Sequence, residues 1–264
     1  MKNATQWLAL LVVLGGVVAT FYYYYWQQSA QQAPELQHPS GGEAQPVLEP
    51  PAEPQIRHPI EEAQPAQETK PLPPLDESDA TAQDALRGLL GQELVQEFFH
   101  LEDIVRRLVV TIDSLPRAQV PRRYMPVKPT ARRFRTSGEE ESVFINPDNY
   151  RRYTPYVRLA ETVKTKQLVA VYVHFYPLFQ QAYKDLGYPS GYFNDRLIEV
   201  IDDLLAAPDP QGPVKLVRPK VMYQFADPDL EARSAGQKIL IRMGSENAAR
   251  IKAKLKEIQR ELTG

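Results

Sequence analysis

Between Ser114 and Gly138 the chain carries Arg117, Arg122, Arg123, Lys128, Arg132, Arg133 and Arg135, seven cations with no acid among them, and Tyr124 and Phe134 are interleaved. Guanidinium groups pair with phosphate and carboxylate oxygens, and aromatic rings offer stacking faces, so this composition suits an anionic partner. Arg122, Arg123, Tyr124, Arg132, Arg133 and Arg135 are the candidate binding residues. The alternative is neutralisation within the chain, by Glu139, Glu140 and Glu141 or by an acidic segment nearer the N-terminus. A second cluster, Tyr150, Arg151, Arg152, Tyr153, Tyr156 and Arg158, extends the same surface if the two stretches meet; otherwise it covers a helix start. Residues 79–264 hold 28 basic against 24 acidic side chains, a dispersed excess of +4. That is too little to imply nucleic acid.

Other groups that could do chemistry are sparse. Asp195, Glu199 and Asp202 lie about one helical turn apart, a spacing that could present paired carboxylates for acid/base work or glycan cleavage, or could simply be a solvated face opposite Phe193 and Leu197. His100 precedes Asp103 by one turn, but neither it nor His174 has a second histidine at helical metal-binding spacing. His174 reads as a core histidine. Glu141-Ser142 is similar to the Glu-Ser pair of lytic transglycosylases, yet it sits beside a turn instead of in a supporting helix. Cysteine is absent, which excludes disulfides, zinc-thiolate sites and thiol nucleophiles. No nucleophile elbow or phosphate-binding glycine loop occurs. No cofactor, no metal and no enzymatic activity is expected.

Before these residues come two segments that would position them. Residues 7–26 form a run of 20 residues without a charged side chain, opened by Trp7 and closed by Tyr22, Tyr23, Tyr24, Tyr25 and Trp26. At about 1.5 Å per residue it spans a hydrocarbon core of about 30 Å, with aromatic rings at both interfaces. Lys2 precedes it and the next cation is Arg57, so residues 1–6 are expected in the cytoplasm and the rest beyond a bacterial inner membrane, in the periplasm. Val17 and Ala19 could mark a signal-peptide cleavage site instead, but cleavage would expose the Tyr/Trp cluster on a soluble protein. Residues 27–78 contain 11 prolines and nine acids against two cations, a net −7. With little to bury, this segment reads as a disordered linker, with polyproline II stretches of about 3.1 Å per residue.

The remaining residues, 79–264, read as one mainly α-helical bundle domain with a possible small β-hairpin. A short helix over residues 82–90 precedes a long one over 92–115, where Leu94, Phe98, Leu101, Val105, Leu108, Ile112 and Leu115 alternate spacings of four and three. Residues 132–135 and 142–145 read as the hairpin around Ser137-Gly138. Asn146-Pro147 and Thr154-Pro155 read as helix starts, and Thr165 as the cap of a helix apolar on nearly every side, kinked at Pro177 and ended at Gly187. Ser190 starts the next helix, residues 214–225 are extended, Asp227-Pro228 caps a helix ending at Gly244, and Ser245 caps the last. The two heptad-like helices at the domain's ends are expected to pack together.

The stretches Phe175-Tyr176-Pro177-Leu178-Phe179-Gln180, Gly187-Tyr188-Pro189 and Tyr192-Phe193-Asn194-Asp195-Arg196 resemble an uncharacterised family of proteobacterial envelope proteins. So do Leu159-Ala160-Glu161-Thr162-Val163, Phe225-Ala226-Asp227-Pro228, Ser234-Ala235-Gly236-Gln237-Lys238 and Arg242-Met243-Gly244-Ser245-Glu246-Asn247. The resemblance covers most of residues 90–262. It implies an N-terminal anchor, an acidic Pro-rich linker and a helical domain of unknown function, and it supplies no site residue. The expected function is a membrane-tethered periplasmic binding or scaffold protein that meets an anionic envelope component or envelope protein. The alternative is a cell-wall-acting hydrolase using Asp195, Glu199 or Asp202.

Overall fold

The computed structural model of the protein describes residues 55–60, 71–131, 133–139 and 142–264. The expected membrane helix at 7–26, most of the linker, and Arg132, Glu140 and Glu141 lie outside these residues. No helix among the described residues is long and apolar enough to cross a membrane.

The described chain is mainly helical with a small antiparallel sheet. After a 3-10 turn at Leu75–Glu77 come α1 (Asp79–Leu90), α2 (Gln92–Phe98) and α3 (Ile104–Ser114). Next are strands β1 (Thr136–Ser137) and β2 (Val143–Ile145), then α4 (Thr154–Thr162), α5 (Thr165–Asp185) and α6 (Phe193–Leu205). Strands β3 (Lys215–Val217) and β4 (Gln224–Phe225) follow, with α7 (Pro228–Glu231), α8 (Ala235–Met243) and α9 (Ser245–Thr263) closing the chain.

The long helix expected over 92–115 is two helices. Phe99 is extended and bridges Val127, the amide of His100 donates to the carbonyl of Pro126, and the amide of Lys128 donates to that of Phe98. Asp103 then takes a left-handed conformation at φ 51°, and the Asp79 carboxylate at the head of α1 accepts the amides of Asp103 and Ile104 at 2.8 and 3.0 Å. Heptad spacing survives the break because Leu101, between the two helices, still packs on the same core. That core joins Ala82, Ile104, Val105 and Val109 to Phe175, Leu178, Ala182, Tyr183 and Phe193.

α5 is not apolar all round. Val169, Phe175, Leu178 and Ala182 are buried, while Gln167, Ala170, His174, Pro177, Gln181 and Lys184 form an exposed stripe at alternating spacings of three and four. His174 is therefore a surface residue, and Pro177 sits where its missing N–H faces the solvent side, so the helix runs through it. Gly187 ends the turn after α5 at φ 114°, a region that favours glycine.

Asn146 and Asp227 do cap, accepting the amide of Asp148 and those of Asp229 and Leu230, although each starts only a short turn (Pro147–Arg152 and α7). Thr154, Thr165 and Ser245 lie inside the first turns of α4, α5 and α9, and α6 starts after Tyr192 instead of Ser190. The helix expected from Asp227 to Gly244 is interrupted, and its longer part, α8, is capped by Ser234, whose Oγ accepts the amide of Gln237 at 3.1 Å.

The hairpin is one half of a four-stranded antiparallel sheet of order β1-β2-β3-β4, with Thr136 opposite Ile145, Val143 opposite Leu216 and Leu216 opposite Phe225. Ile145, Leu216 and Phe225 point to one face and bury Ile241 of α8. α8 also abuts α3, since the amides of Ala235 and Gly236 donate to the carbonyls of Arg117 and Leu115 at 2.7 and 2.9 Å. α9 packs on α4, α5, α6 and α8, and α3 on α1, α5 and α6. The two heptad-like helices thus share α5 and α6 as neighbours, and neither has the other as a main partner.

Gly244 joins α8 to α9 at φ 82°, where an added Cβ would lie 2.7 Å from the Tyr150 ring. Gly244→Ala combines a disfavoured φ with an aromatic clash, and it should lower unfolding stability by about 2 kcal/mol. Denaturant melts of the two chains measure this.

Candidate functional site

The basic stretch is laid across helices that fix its backbone. Arg122–Tyr124 form a 3-10 turn whose Tyr124 carbonyl accepts the Thr111 hydroxyl at 3.0 Å and whose Arg123 carbonyl accepts a guanidinium N–H of Arg107. Further on, the Lys128 carbonyl accepts the Tyr156 hydroxyl at 2.9 Å, and Arg152 donates to the Ala131 carbonyl and the Thr130 hydroxyl at 3.1 and 2.8 Å. Asn149, with no exposed surface, accepts the Arg135 amide at 2.9 Å and donates to its carbonyl at 2.6 Å. The two cationic clusters of the sequence therefore meet. Members of the second serve as struts for the first.

The six described cations of the stretch divide by task. Arg117 pairs with Asp113, Lys128 donates to the Gln96 carbonyl, and Arg135 shares Asp148 with Arg151. Among the described residues no carboxylate pairs with Arg122, Arg123 or Arg133, all of them exposed. The Arg123 guanidinium lies 4.7 Å from the centroid of the Tyr124 ring. Phe134 is 36% exposed and tilts against Tyr223 at 6.1 Å, with Arg218 on that ring at 5.4 Å. Charge and ring faces stand side by side on a held backbone.

The carboxylates of α6 are already engaged. Both oxygens of Asp195 accept backbone amides of residues 55–60, from Arg57 at 3.0 Å and His58 at 2.7 Å. Glu199 pairs with Arg57 and with Arg196, and Asp202 accepts the Gln259 amide at 2.7 Å. None of the three lines the apolar cavity of about 240 Å³ among α1, α3, α5, α6 and α9, nor the cavity of about 310 Å³ beside Tyr150 and Asp209. A hydrolytic role would need a free carboxylate facing a cleft. Here Asp195 and Glu199 hold a peptide segment, and Asp202 holds Gln259 of α9.

Behind this face lies a polar centre that sequence reasoning missed. Asp113 is buried, its side chain 3% exposed, and its carboxylate meets Arg196 Nε at 3.0 Å and Arg117, with the Tyr188 hydroxyl at 3.4 Å. Arg196 also donates to the Asp113 carbonyl at 2.9 Å. Burial opposes the Arg196 charge, but Asp113 and Glu199 outweigh it and raise its pKa. Tyr183, stacked on Tyr188, is pushed up to about 12, by burial first and then by the Asp113 charge. One signal was legible: Asp113 continues the buried spacing Val105, Val109, so an acid sits where an apolar residue belongs. Nothing in the linker's composition marked residues 55–60.

Fold and site together define a mainly helical domain with a small antiparallel sheet and an outward basic loop. Residues 104–259 match the family described as Protein of unknown function (DUF3014), and since they are more than half of the chain, it belongs to that family. The match opens at the first residue of α3 and ends within α9, so α1, α2 and residues 55–60 lie outside it. No curated protein and no solved structure matches the chain.

Removing the Asp113 carboxylate leaves Arg196, its side chain 22% exposed, without its main counter-charge. Asp113→Ala should cost about 3 kcal/mol of unfolding free energy, whereas Asp202→Ala, on the exposed face, should cost under about 0.5 kcal/mol. Equal losses in urea denaturation would remove Asp113 from its central position.

Proposed function

We propose that this protein is a non-enzymatic, single-pass inner-membrane protein of a proteobacterial envelope. Its helical domain stands in the periplasm on an acidic, Pro-rich linker and captures an anionic envelope component or envelope protein through the basic loop. The observation that carries this reading is the exposure of Arg122, Arg123 and Arg133 on a backbone fixed by Arg107, Thr111, Arg152 and Tyr156. A held backbone lowers the ordering cost of binding, and exposed guanidinium groups supply charge-assisted hydrogen bonds. The anchoring half of the reading rests on residues 7–26 and on the cation distribution around them.

Charge reversal tests the loop. Arg122→Glu, Arg123→Glu and Arg133→Glu together should reduce capture of the partner from envelope extracts by at least about tenfold, a loss of about 1.4 kcal/mol, with helical content unchanged. Raising salt should weaken capture by the wild-type chain in the same direction. Undiminished capture by the triple variant would refute the loop as the binding surface. Orientation is tested separately by a C-terminal alkaline phosphatase fusion, expected to be active, since that enzyme folds only in an oxidising compartment. An inactive fusion beside an active cytoplasmic reporter at the same position would reverse the topology.

A further inference from the structure

Residues 55–60 form a strap across the start of α6, and nearly everything that holds it reads the strap's backbone. Asp195 takes two consecutive amides, those of Arg57 and His58. Asn194 Nδ2 donates to the His58 carbonyl at 2.9 Å, and the Tyr192 hydroxyl accepts the Ile60 amide at 2.7 Å. Pro59, which has no N–H, lies between the two bonded amides of His58 and Ile60. The side of the site facing the strap is prepared from behind: Asn194 has no exposed surface, and its Oδ1 accepts the Tyr172 hydroxyl at 3.1 Å, which turns Nδ2 toward the strap. Gln180 of α5 accepts the Phe193 amide at 2.8 Å and donates to the Gly191 carbonyl at 2.7 Å, fixing the start of the helix. Among the described residues, the one hydrogen bond or ion pair made by a strap side chain is that of Arg57 with Glu199, exposed by 57% and 45%.

The strap's sequence occurs twice. Pro54-Gln55-Ile56-Arg57-His58-Pro59 is matched by Pro34-Glu35-Leu36-Gln37-His38-Pro39, and the two are followed by Glu62-Ala63-Gln64-Pro65 and Glu43-Ala44-Gln45-Pro46. His38 and His58 are the chain's two histidines outside residues 79–264, and a proline follows each. The backbone groups that Asp195, Asn194 and Tyr192 read at 57, 58 and 60 have counterparts at Gln37, His38 and Ser40.

We propose that the start of α6 is a docking site for this linker motif and that residues 34–40 are its second occupant, exchanging with residues 55–60. The second copy keeps the backbone hydrogen bonds and lacks the Arg57 ion pair, so it is the weaker ligand by about two- to fivefold, the range of an exposed pair. Exchange changes reach, a consequence that rests on the membrane anchoring proposed above, whereas docking itself does not. With residues 55–60 docked, the tether is residues 27–54, about 87 Å at polyproline II rise; with the second copy docked it is residues 27–33, about 22 Å. The domain would be held far from its membrane or close to it by the same site.

The absence of cysteine gives the test a silent background. In the full-length chain in membranes, Glu199→Cys removes, of the strap's contacts, only the one that the two copies do not share, and Arg196 keeps Asp113 as its partner. Arg57→Pro and His58→Pro take away the two amides donated to Asp195 and vacate the site. In that background Gln37→Cys should cross-link to position 199 through a short bismaleimide several-fold faster than Val47→Cys does. Chance encounter predicts the opposite order, because residue 47 is nearer to the domain along the chain. Equal or slower linking from position 37, with helical content unchanged, would overturn the proposal. Links found only between two chains would overturn the shortening of the tether. Neither result bears on capture through Arg122, Arg123 and Arg133.

Discussion

A single buried carboxylate organises the helical half of this domain. Asp113 ends the apolar stripe of α3, and burying it is tolerable only because Arg196 and Arg117 bring charge to it from two directions and the Tyr188 hydroxyl lies against it. Those partners come from α6, from the chain just beyond α3 and from the turn after α5, so satisfying one charge sets the relation of three elements. The same Arg196 reaches Glu199, and Glu199 reaches Arg57. The charge order Arg117, Asp113, Arg196, Glu199, Arg57 alternates sign from the interior to the linker strap.

The beta half is organised differently, by apolar contact and backbone pairing. Ile145, Leu216 and Phe225 close over Ile241, and the start of α8 supplies amides to the carbonyls at the end of α3. The basic loop runs between these halves. Its backbone is held from the helical side by Arg107 and Thr111, and from the other by Arg152, Tyr156 and Asn149. Several cations that look equivalent in the sequence are consumed in this work, and the outward charge is concentrated in those that are not.

The carboxylates of α6 illustrate how a pattern of residue types leaves open what those residues meet. Acids one turn apart satisfy a spacing rule for acid/base work, but the rule does not say what they face. Asp195 faces two amides of the chain's own linker, Glu199 faces two arginines, and Asp202 faces α9. Acceptors already filled by N–H groups are a peptide-holding surface.

What the sequence by itself determined is local. Apolar residues at spacings of three and four marked α3, α6 and α9, Asn146 and Asp227 marked turn starts, Gly187 and Gly244 marked ends, and a run of cations between prolines marked the exposed loop. These follow from backbone geometry and from the cost of burying polar groups, which act on neighbours in the chain. The break at Phe99–Asp103 needed Asp79 and Val127; the second pair of strands needed Val143 and Phe144 to meet Lys215 and Leu216; and the exposure of His174 needed a neighbour for one face of α5 and none for the other. So did the strap, whose composition says disorder until Asp195, Asn194 and Tyr192 are brought beside it. Only the tertiary structure decided these features, because each depends on groups distant in the chain whose pairing must first outweigh the entropy of closing the loop between them.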